Sequence, residues 1–305
     1  MIETIDFLIC NYNGDLLLKK CIDSIIRLKL THFKIYVYDN DSKDESIESI
    51  KNYRSEVVSI IEGKDNIGYG KAINRIFDMS NSKYIFILNP DSELEFSRNK
   101  LELLMSNFGD KLIFGFDIVN NDGTNQNFLT YEPDYKWIVG GLLRIGFPIV
   151  IEPFYRIYFS LLHSKMNNNV AQKSNNLKFV SGCALLMTRE SFRQIGKFNE
   201  EYFLYFEDTE LLFNANKLGF DIEKSELKVK HTASYSFRKA SNRIKAEKYK
   251  SALIYFKNTR GYIYYLWVKF CLIFFSILSL LNPINIFYRN LGKYFTNLIV
   301  ITFKN

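Results

Sequence analysis

YIFILNPDSE, residues 84–93, joins the pattern of a buried strand to an acidic turn. Its first five residues are all apolar, as in strands that are covered on both faces. The polar residues that follow place Asp91 just beyond the end of this strand. Because open α/β sheets bind ligands outside the carboxyl ends of their strands, the pattern predicts that Asp91 faces a ligand site.

The strand pattern recurs along the chain, and helical periods separate its copies. Strand, helix and strand at this spacing predict βαβ units and a parallel sheet. We predict strands over residues 4–10, 33–38, 57–61, 84–88, 111–116, 179–187 and 227–230, and helices over residues 18–26 and 69–79. Residues 120–176 show only weak periodicity, and we expect loops and short helices that line a pocket there.

A second acidic cluster, Glu207 and Asp208, follows the apolar run of residues 202–206. Asp208 and three later apolar residues recur at i, i+3, i+4 and i+7, which places Asp208 on the inward stripe of a helix. A carboxylate there is partly desolvated, and its raised pKa suits a general base. Two acids in a first helical turn can instead complement the helix dipole from an exposed face. One carboxylate for a metal ion and one for a proton indicate a transferase.

The composition is that of a large globular protein. With 305 residues and 47% hydrophobic content, the chain can bury a substantial core and still carry an appendage. Its four cysteines show no C-x-x-C spacing, which indicates a reducing compartment. The N-terminus lacks a basic region before its short apolar stretch, so we expect no signal peptide and a cytoplasmic location for this end.

Positive charge is concentrated in the C-terminal tail. The formal net charge is +7, but twelve basic residues and one acidic residue, Glu247, follow His231. The tail therefore carries +11 and the preceding chain −4. Such segregation predicts a docking surface for an anionic partner, either nucleic acid or a membrane.

The composition of residues 262–281 favours a membrane over nucleic acid as the partner. This run of twenty residues has Lys269 as its only charge and would reach about 30 Å as a helix. Its aromatic content and basic flanks favour the membrane interface, with a spanning helix and an ordinary docking helix pair as alternatives. A nucleic-acid patch would be interleaved with polar residues, so no nucleic acid is expected as a partner.

Four segments resemble the nucleotide-sugar elements of the family 2 glycosyltransferases of GT-A fold. NPD at residues 89–91 resembles the metal-binding element of that family. FLICNYN at 7–13 resembles its first strand and nucleotide loop, and YVYDNDS at 36–42 its second strand with a base- and ribose-contacting Asp. NIGYGKA at 66–72 resembles the next element, where glycines let the backbone approach the nucleotide.

Two further segments are similar to acceptor-side elements of the rhamnosyltransferase-like branch of this family. VSGCALL at residues 180–186 and FLYFED at 203–208 occur in the same order as in that branch. The resemblance implies that Asp208 deprotonates the acceptor hydroxyl and that Glu207 orients the acceptor. It covers roughly the first 235 residues of the chain.

The resemblance also implies a divalent cation, Mn²⁺ or Mg²⁺, held by Asp91 and by His231. A lone histidine is often structural, so that interpretation of His231 stays open. Asn89 and Ser92 stand where some members carry carboxylates, which implies a site with few ligands and a loosely held metal. The residues implied to contact donor or acceptor are Asn11, Tyr12, Asn13, Asp39, Asn66, Gly68, Lys71, Asn74, Asn89, Asp91, Gly182 and Glu207.

The sequence thus predicts an α/β, Rossmann-like GT-A fold with a mostly parallel central sheet over residues 1–238, then a basic, aromatic helical tail over residues 239–305. Residues 1–118 form the predicted donor half and residues 119–238 the acceptor half. The implied activity is inverting transfer from dTDP-rhamnose or a UDP-hexose to a lipid-linked or growing oligosaccharide of an O-antigen or capsule. The tail predicts peripheral binding to the anionic cytoplasmic face of the cell membrane, and self-association is left open.

Two alternatives stay open at this stage. A sugar nucleotidyltransferase has the same kind of sheet and a metal held by carboxylates. It also requires a glycine-rich, basic phosphate-binding loop after the first strand. NYNGD at residues 11–15 has one glycine and no cation. A membrane-docked scaffold without activity would not need Asp39, Asp91 and Asp208 together.

Overall fold

The computed structural model describes residues 4–53, 57–126, 132–134, 140, 179–232, 242–280 and 298–300. The chain divides into two units, one formed by residues 1–132 with 178–239 and the other by residues 133–177 with 240–305. The junction between residues 239 and 240 lies beside the predicted start of the tail. The grouping of residues 133–177 with the tail was not predicted from the sequence.

A single eight-stranded sheet runs through the described part of the first unit. Its strands are β1 (Ile5–Asn11), β2 (Phe33–Asp39), β3 (Val58–Glu62), β4 (Tyr84–Leu88), β5 (Ser92–Leu94), β6 (Leu112–Val119), β7 (Ala184–Thr188) and β8 (Asp221–His231). They lie in the order β3-β2-β1-β4-β7-β6-β8-β5. Strands β1 to β4 are parallel, β7 is antiparallel to its neighbours β4 and β6, and β5 is antiparallel to β8. Since β6 and β8 are parallel to each other, the sheet is mostly parallel, as predicted.

Helices connect the strands in the predicted alternation. Those of the first unit are α1 (Asp15–Ile26), α2 (Ser46–Ile50), α3 (Tyr69–Met79), α4 (Arg98–Ser106), α5 (Arg189–Ile195) and α6 (Glu207–Lys217). Helix α3 and strand β4 have the predicted bounds. The strand predicted to begin at residue 179 begins instead at Ala184.

Apolar packing holds the central strands together and fixes where they end. Every residue of β1 and of β4 is buried. Phe86 stacks on Phe7 at a centroid distance of 5.4 Å and on Phe116 at 4.8 Å. Because Ile9 pairs with Leu88 in the β1–β4 ladder, the polar residues that follow both strands emerge at the same edge of the sheet.

The acidic turn after β4 is hydrogen-bonded to the end of β8. Ser92 pairs with His231 in the ladder of β5 and β8, and the backbone N–H of Thr232 donates to the carbonyl oxygen of Asp91 at 3.0 Å. Strand β5 was not predicted, because its three residues continue a sequence of turn formers. It nevertheless determines where Asp91 lies.

The second unit contains two described helices, α7 (Asn242–Arg260) and α8 (Tyr262–Leu280). One side of α8 is buried, including Val268 and Leu272. The other side exposes large apolar side chains, namely Ile263, Leu266, Trp267, Phe270, Phe274, Ile277 and Leu278. Among the residues that the structure describes, no helix is both long enough and apolar enough to cross a membrane.

Candidate active site

The ends of β1 and β2 are tied to each other by a polar network. Asn11 and Asp39 are register partners, and the side-chain amide of Asn11 donates to Asp39 Oδ1 at 2.8 Å. The hydroxyl and the backbone N–H of Ser42 also donate to this carboxylate, at 2.6 and 3.0 Å. Asn11 Oδ1 is buried and has no hydrogen-bond partner within the described structure. The network therefore fixes Asp39 at this edge of the sheet.

The loop after β1 forms a rim beside this network. The backbone N–H of Asn13 donates to the Ser42 hydroxyl at 2.8 Å, and the Asn13 side chain accepts from the backbone N–H of Lys43 at 2.8 Å. Asn13 thereby locks the two loops together. Its neighbour Tyr12 is 43% exposed, so its ring is accessible to a ligand.

The glycine-containing loop before α3 packs against the segment that leads to the second acidic cluster. Asn66 Oδ1 accepts from the backbone N–H of Gly68 at 3.0 Å, and Gly68 has a φ of +91°. A Cβ atom at Gly68 would lie 2.6 Å from the carbonyl oxygen of Phe203. The same oxygen accepts from the backbone N–H of Tyr69 at 3.0 Å. The two segments are thus in direct backbone contact.

Two predicted substrate residues on α3 differ in what they contact. The side chain of Asn74 donates to the carbonyl oxygen of Phe198 at 2.9 Å and accepts from the backbone N–H of Phe198 at 3.1 Å. It also donates to Glu200 at 3.1 Å and is buried, so it clamps a loop before α6. Lys71 is half-buried. Substrate contact by either residue stays a prediction.

Asp91 and His231, the predicted metal ligands, lie side by side. Asp91 Oδ1 is 3.2 Å from His231 Nε2, and both side chains are 13% exposed. The pairing of β5 with β8 brings them together across 140 positions of sequence. Asn89 lies two residues before Asp91, and its backbone N–H donates to Cys183.

This pair fits a divalent cation that takes its remaining ligands from elsewhere. Adjacent ligands of an octahedral cation with metal–ligand distances of about 2.1 Å lie about 3 Å apart, close to the spacing observed here. Within the described residues, no group of three or more His, Cys, Asp or Glu side chains could hold a metal ion. Metal binding by Asp91 and His231 therefore stays a prediction.

Glu207 and Asp208 open helix α6, and the chain enters it in a strained conformation. Tyr205 and Phe206 have φ values of +70° and +68°, and left-handed backbone at such residues costs about 1–3 kcal/mol each. Glu207 is 6% exposed, and its Oε2 atom has no hydrogen-bond partner within the described structure. Asp208 is only half-buried, and its Oδ1 accepts from the backbone N–H of Thr209 at 2.7 Å.

The predicted stripe of α6 is buried at Leu211, Leu212 and Ala215. Asp208, at the start of that stripe, is itself only half-buried, whereas Glu207 and Glu210 are fully buried. This arrangement leaves the carboxylate of Asp208 in a position that is both partly desolvated and accessible.

The environment raises the pKa of both acids. Burial is the main cause for Glu207, and the negative charge of Asp208 raises its pKa further. Burial also raises the pKa of Asp208, although hydrogen bonds from Thr209 and from the backbone of Gly182 oppose that change. The raised pKa of Asp208 makes it a stronger base than an ordinary aspartate.

One short segment, residues 182–183, lies close to both Asp91 and Asp208. A Cβ atom at Gly182 would lie 2.1 Å from Asp208 Oδ2, and the carbonyl oxygen of Cys183 accepts from the backbone N–H of Asn89 at 2.9 Å. Burial raises the pKa of the Cys183 thiol, and the charges of both Asp91 and Asp208 raise it further. One predicted metal ligand and the predicted base therefore lie close to the same two residues.

Some residues of the site were not assigned a role from the sequence. Ser42, which holds Asp39, and Cys183 lie inside the quoted motifs, so their position was signalled but their contacts were not. Gln126 contacts His231 Nδ1 at 3.1 Å, and it lies in the stretch of weak periodicity. No local pattern in the sequence links it to a histidine 105 positions away.

This sheet order, with Asp39 at the end of β2 and Asp91 after β4, is that of the predicted GT-A fold. The sequence profile of glycosyl transferase family 2 matches residues 6–196. The chain belongs to this family, and the predicted enzyme class, glycosyltransferase, is confirmed.

A curated relative is the N-acetylglucosaminyl-diphospho-decaprenol L-rhamnosyltransferase of Mycobacterium tuberculosis. It is 24% identical over 202 residues, which cover 61% of this chain and 62% of the relative. The chain thus spans less than two thirds of the curated relatives that it matches.

Solved structures show the same fold. S. aureus TarS 1–349 in complex with UDP has a TM-score of 0.53 at 12% identity, covering 89% of this chain and 70% of that chain. The mannosyltransferase PcManGT from Pyrobaculum calidifontis, in complex with GDP-Man and Mn²⁺, has a TM-score of 0.55 at 9% identity, covering 99% and 88%. These likenesses confirm the predicted GT-A fold.

Replacing Gly182 by alanine tests the geometry around Asp208. The added methyl group collides with the Asp208 carboxylate, so we expect turnover to fall by about 10²-fold or more, as for a displaced catalytic group. The matched control is Gly109→Ala, whose methyl group meets no atom within 4 Å. Steady-state kinetics on both variants, with circular dichroism to verify folding, makes the comparison. Equal turnover of the two variants would show that Gly182 does not position the acid.

Proposed function

We propose that this chain transfers a sugar from a nucleotide diphosphate donor to a hydroxyl group of a lipid-linked or growing oligosaccharide. The observation that carries the proposal is that Asp91, which lies beside His231, and Asp208, which follows Glu207, are both close to the segment 182–183. Asp91 and His231 would hold a cation that stabilises the departing diphosphate. Asp208 would take the proton of the attacking hydroxyl, and Glu207 would orient the acceptor. Both reacting groups of a glycosyl transfer then meet beside one edge of the sheet.

The loops after β1 and β2 supply the proposed nucleotide site. Asp39, held by Asn11 and Ser42, accepts hydrogen bonds from the ribose or the base. The exposed ring of Tyr12 offers a stacking face to the base. Gly68 stays a predicted donor contact, although the space left by its missing side chain is filled by the carbonyl oxygen of Phe203.

The proposed cation is Mn²⁺ or Mg²⁺, held by Asp91 and His231. When bound, it neutralises negative charge that develops on the departing diphosphate. Because only these two side chains would hold it, a cation here would bind more tightly when the diphosphate of the donor is present. This dependence follows from the two protein ligands that the described site provides.

Asp208 is the proposed general base, and Glu207 orients the acceptor. Thr209 binds Oδ1 of Asp208, and the backbone of Gly182 also holds this carboxylate, which in the proposal receives the proton of the acceptor hydroxyl. As that hydroxyl oxygen bonds to the anomeric carbon, the bond from this carbon to the diphosphate breaks. A base opposite the leaving group implies inversion at the anomeric carbon.

The proposed substrates follow from the family branch. The Mycobacterium tuberculosis relative is named for transfer of L-rhamnose to a polyprenyl diphosphate carrying N-acetylglucosamine. We therefore favour dTDP-rhamnose as donor and a polyprenyl-diphosphate saccharide as acceptor, with UDP-hexoses as the next candidates and an O-antigen or capsule as the product class. A screen of donor nucleotides on isolated membranes distinguishes them.

The exposed face of α8 is the proposed membrane contact. Its aromatic side chains include Trp267 at 51% and Phe270 at 59% exposure, and residues 232–305 carry a formal charge of +11. Aromatic rings suit the level of the lipid head groups, and each basic residue near an anionic leaflet contributes about 1 kcal/mol. We place the chain peripherally at the cytoplasmic face, where a polyprenyl-linked acceptor would be presented.

Asp208→Asn tests the base. We expect turnover to fall by roughly two to four orders of magnitude, with donor affinity unchanged, since the base does not contact the nucleotide. In the native protein, turnover should be lost as pH falls through the raised pKa of Asp208, at a higher pH than for an ordinary aspartate. Asp221→Asn, on an exposed position of β8, is the matched control. Full turnover in Asp208→Asn would refute the assignment.

Asp91→Ala tests the cation. Titration of the purified protein with UDP and dTDP should show tighter binding with Mn²⁺ than without it, and the substitution should abolish this difference. Binding without metal should persist, because Asp39 and Tyr12 contact the nucleoside. A scaffold protein would show no metal-dependent binding, and activity that survives chelation would rule out the metal.

Trp267→Ser combined with Phe270→Ser tests the membrane contact. We expect co-sedimentation with anionic vesicles to weaken by about tenfold or more, because burial of large apolar side chains is lost. High salt should release the native protein as well. Met79→Ser combined with Leu103→Ser, at exposed positions on α3 and α4, is the control pair. Unchanged vesicle binding with a change in oligomeric state would identify the face as a contact between copies.

A further inference from the structure

Gln126 is held rigidly next to His231 by a turn that follows β6. The chain reverses over residues 120–124, where the backbone N–H of Asn120 donates to the carbonyl oxygen of Thr124 at 2.8 Å. The backbone N–H of Gln126 then donates to the carbonyl oxygen of Ile118 at 2.8 Å. The backbone of Gln126 is therefore anchored to the sheet before its side chain makes any contact.

The contacts of the Gln126 side chain determine which of its ends is the nitrogen. One end lies 2.7 Å from the backbone carbonyl oxygen of His231 and 2.9 Å from Asn120 Oδ1. A carbonyl oxygen can only accept, so this end of the amide is the NH₂ group. The other end, Oε1, then faces His231 Nδ1 at 3.1 Å.

This orientation selects one form of the histidine ring. Because Gln126 Oε1 can only accept, Nδ1 of His231 carries a hydrogen atom and donates it. In the neutral ring, Nε2 then has a free lone pair, and it points toward Asp91 Oδ1 at 3.2 Å. In the protonated ring, a hydrogen on Nε2 lies between these two atoms and pairs the ring with the carboxylate. A cation that binds both atoms would take the place of this hydrogen.

We propose that Gln126 is a positioning residue that holds His231 in the Nδ1–H tautomer, so that Nε2 is available to the cation. This inference rests on the cation of the proposed function. Without Gln126, nothing described in the structure keeps the hydrogen on Nδ1, and a ring with its hydrogen on Nε2 cannot bind a metal through that atom. Loss of a side chain that hydrogen-bonds to a metal-binding histidine typically lowers metal affinity by about 10- to 100-fold.

The tautomer can be read directly in the wild-type protein. The sequence contains only three histidines, so ¹⁵N-histidine labelling gives three imidazoles, and His231→Gln identifies the signal of His231. At alkaline pH, where imidazoles are neutral, we expect the hydrogen of His231 on Nδ1. A hydrogen on Nε2 would overturn the proposal. This measurement needs no metal and no variant of Gln126.

The consequence for the cation is measured with Gln126→Leu. We expect Mn²⁺ affinity in the presence of UDP or dTDP, followed by electron paramagnetic resonance, to fall by about 10- to 100-fold, with metal-free nucleotide binding unchanged. Gln194→Leu makes the same change at an exposed position on α5 and should have no effect. Equal Mn²⁺ affinity in Gln126→Leu and wild type would overturn the inference. If the wild type itself bound no Mn²⁺, the cation of the proposed function would fail, and the tautomer measurement would still decide the role of Gln126.

Discussion

Strand β7 is the element on which the rest of the first unit depends. It pairs with β4 on one side and with β6 on the other, so its hydrogen bonds join two groups of strands that are otherwise separate in the sheet order. The group on the β4 side carries the loops proposed to bind the nucleotide. The group on the β6 side carries β8 and, through it, His231. The segment that leads into β7 contains Gly182 and Cys183, so the connection between the two groups and the centre of the site coincide.

Charge imposes a second constraint on this edge of the sheet. Asp39, Asp91, Glu207 and Asp208 all lie close to it, whereas the proposed donor carries a negatively charged diphosphate. Like charges that approach in a partly desolvated site repel strongly. A divalent cation beside Asp91 removes the conflict, because it is attracted to the carboxylate and to the diphosphate alike.

Periodic features of the fold were predictable from the sequence, and short or distant ones were not. Strand β4 is a continuous apolar run and α3 has a clear helical period, so each matched its prediction. Strand β5 has three residues and a turn-like composition, and only its pairing with β8 makes it a strand. The acids of FLYFED were identified, but their relative burial depends on the left-handed backbone at Tyr205 and Phe206, which no helical period reveals. Gln126 owes its place to a turn in a segment of weak pattern.

The contact between Gly68 and Phe203 restricts how this protein can diverge. A side chain at position 68 has no space beside the Phe203 carbonyl oxygen, and its backbone would be strained. A change at one segment therefore needs a compensating change of backbone at the other, although 135 positions separate them in sequence. Tyr12 is under no such restriction, because its side chain is open to solvent. New specificity is therefore more readily acquired at the rim, by single substitutions, than at the junction of the two segments.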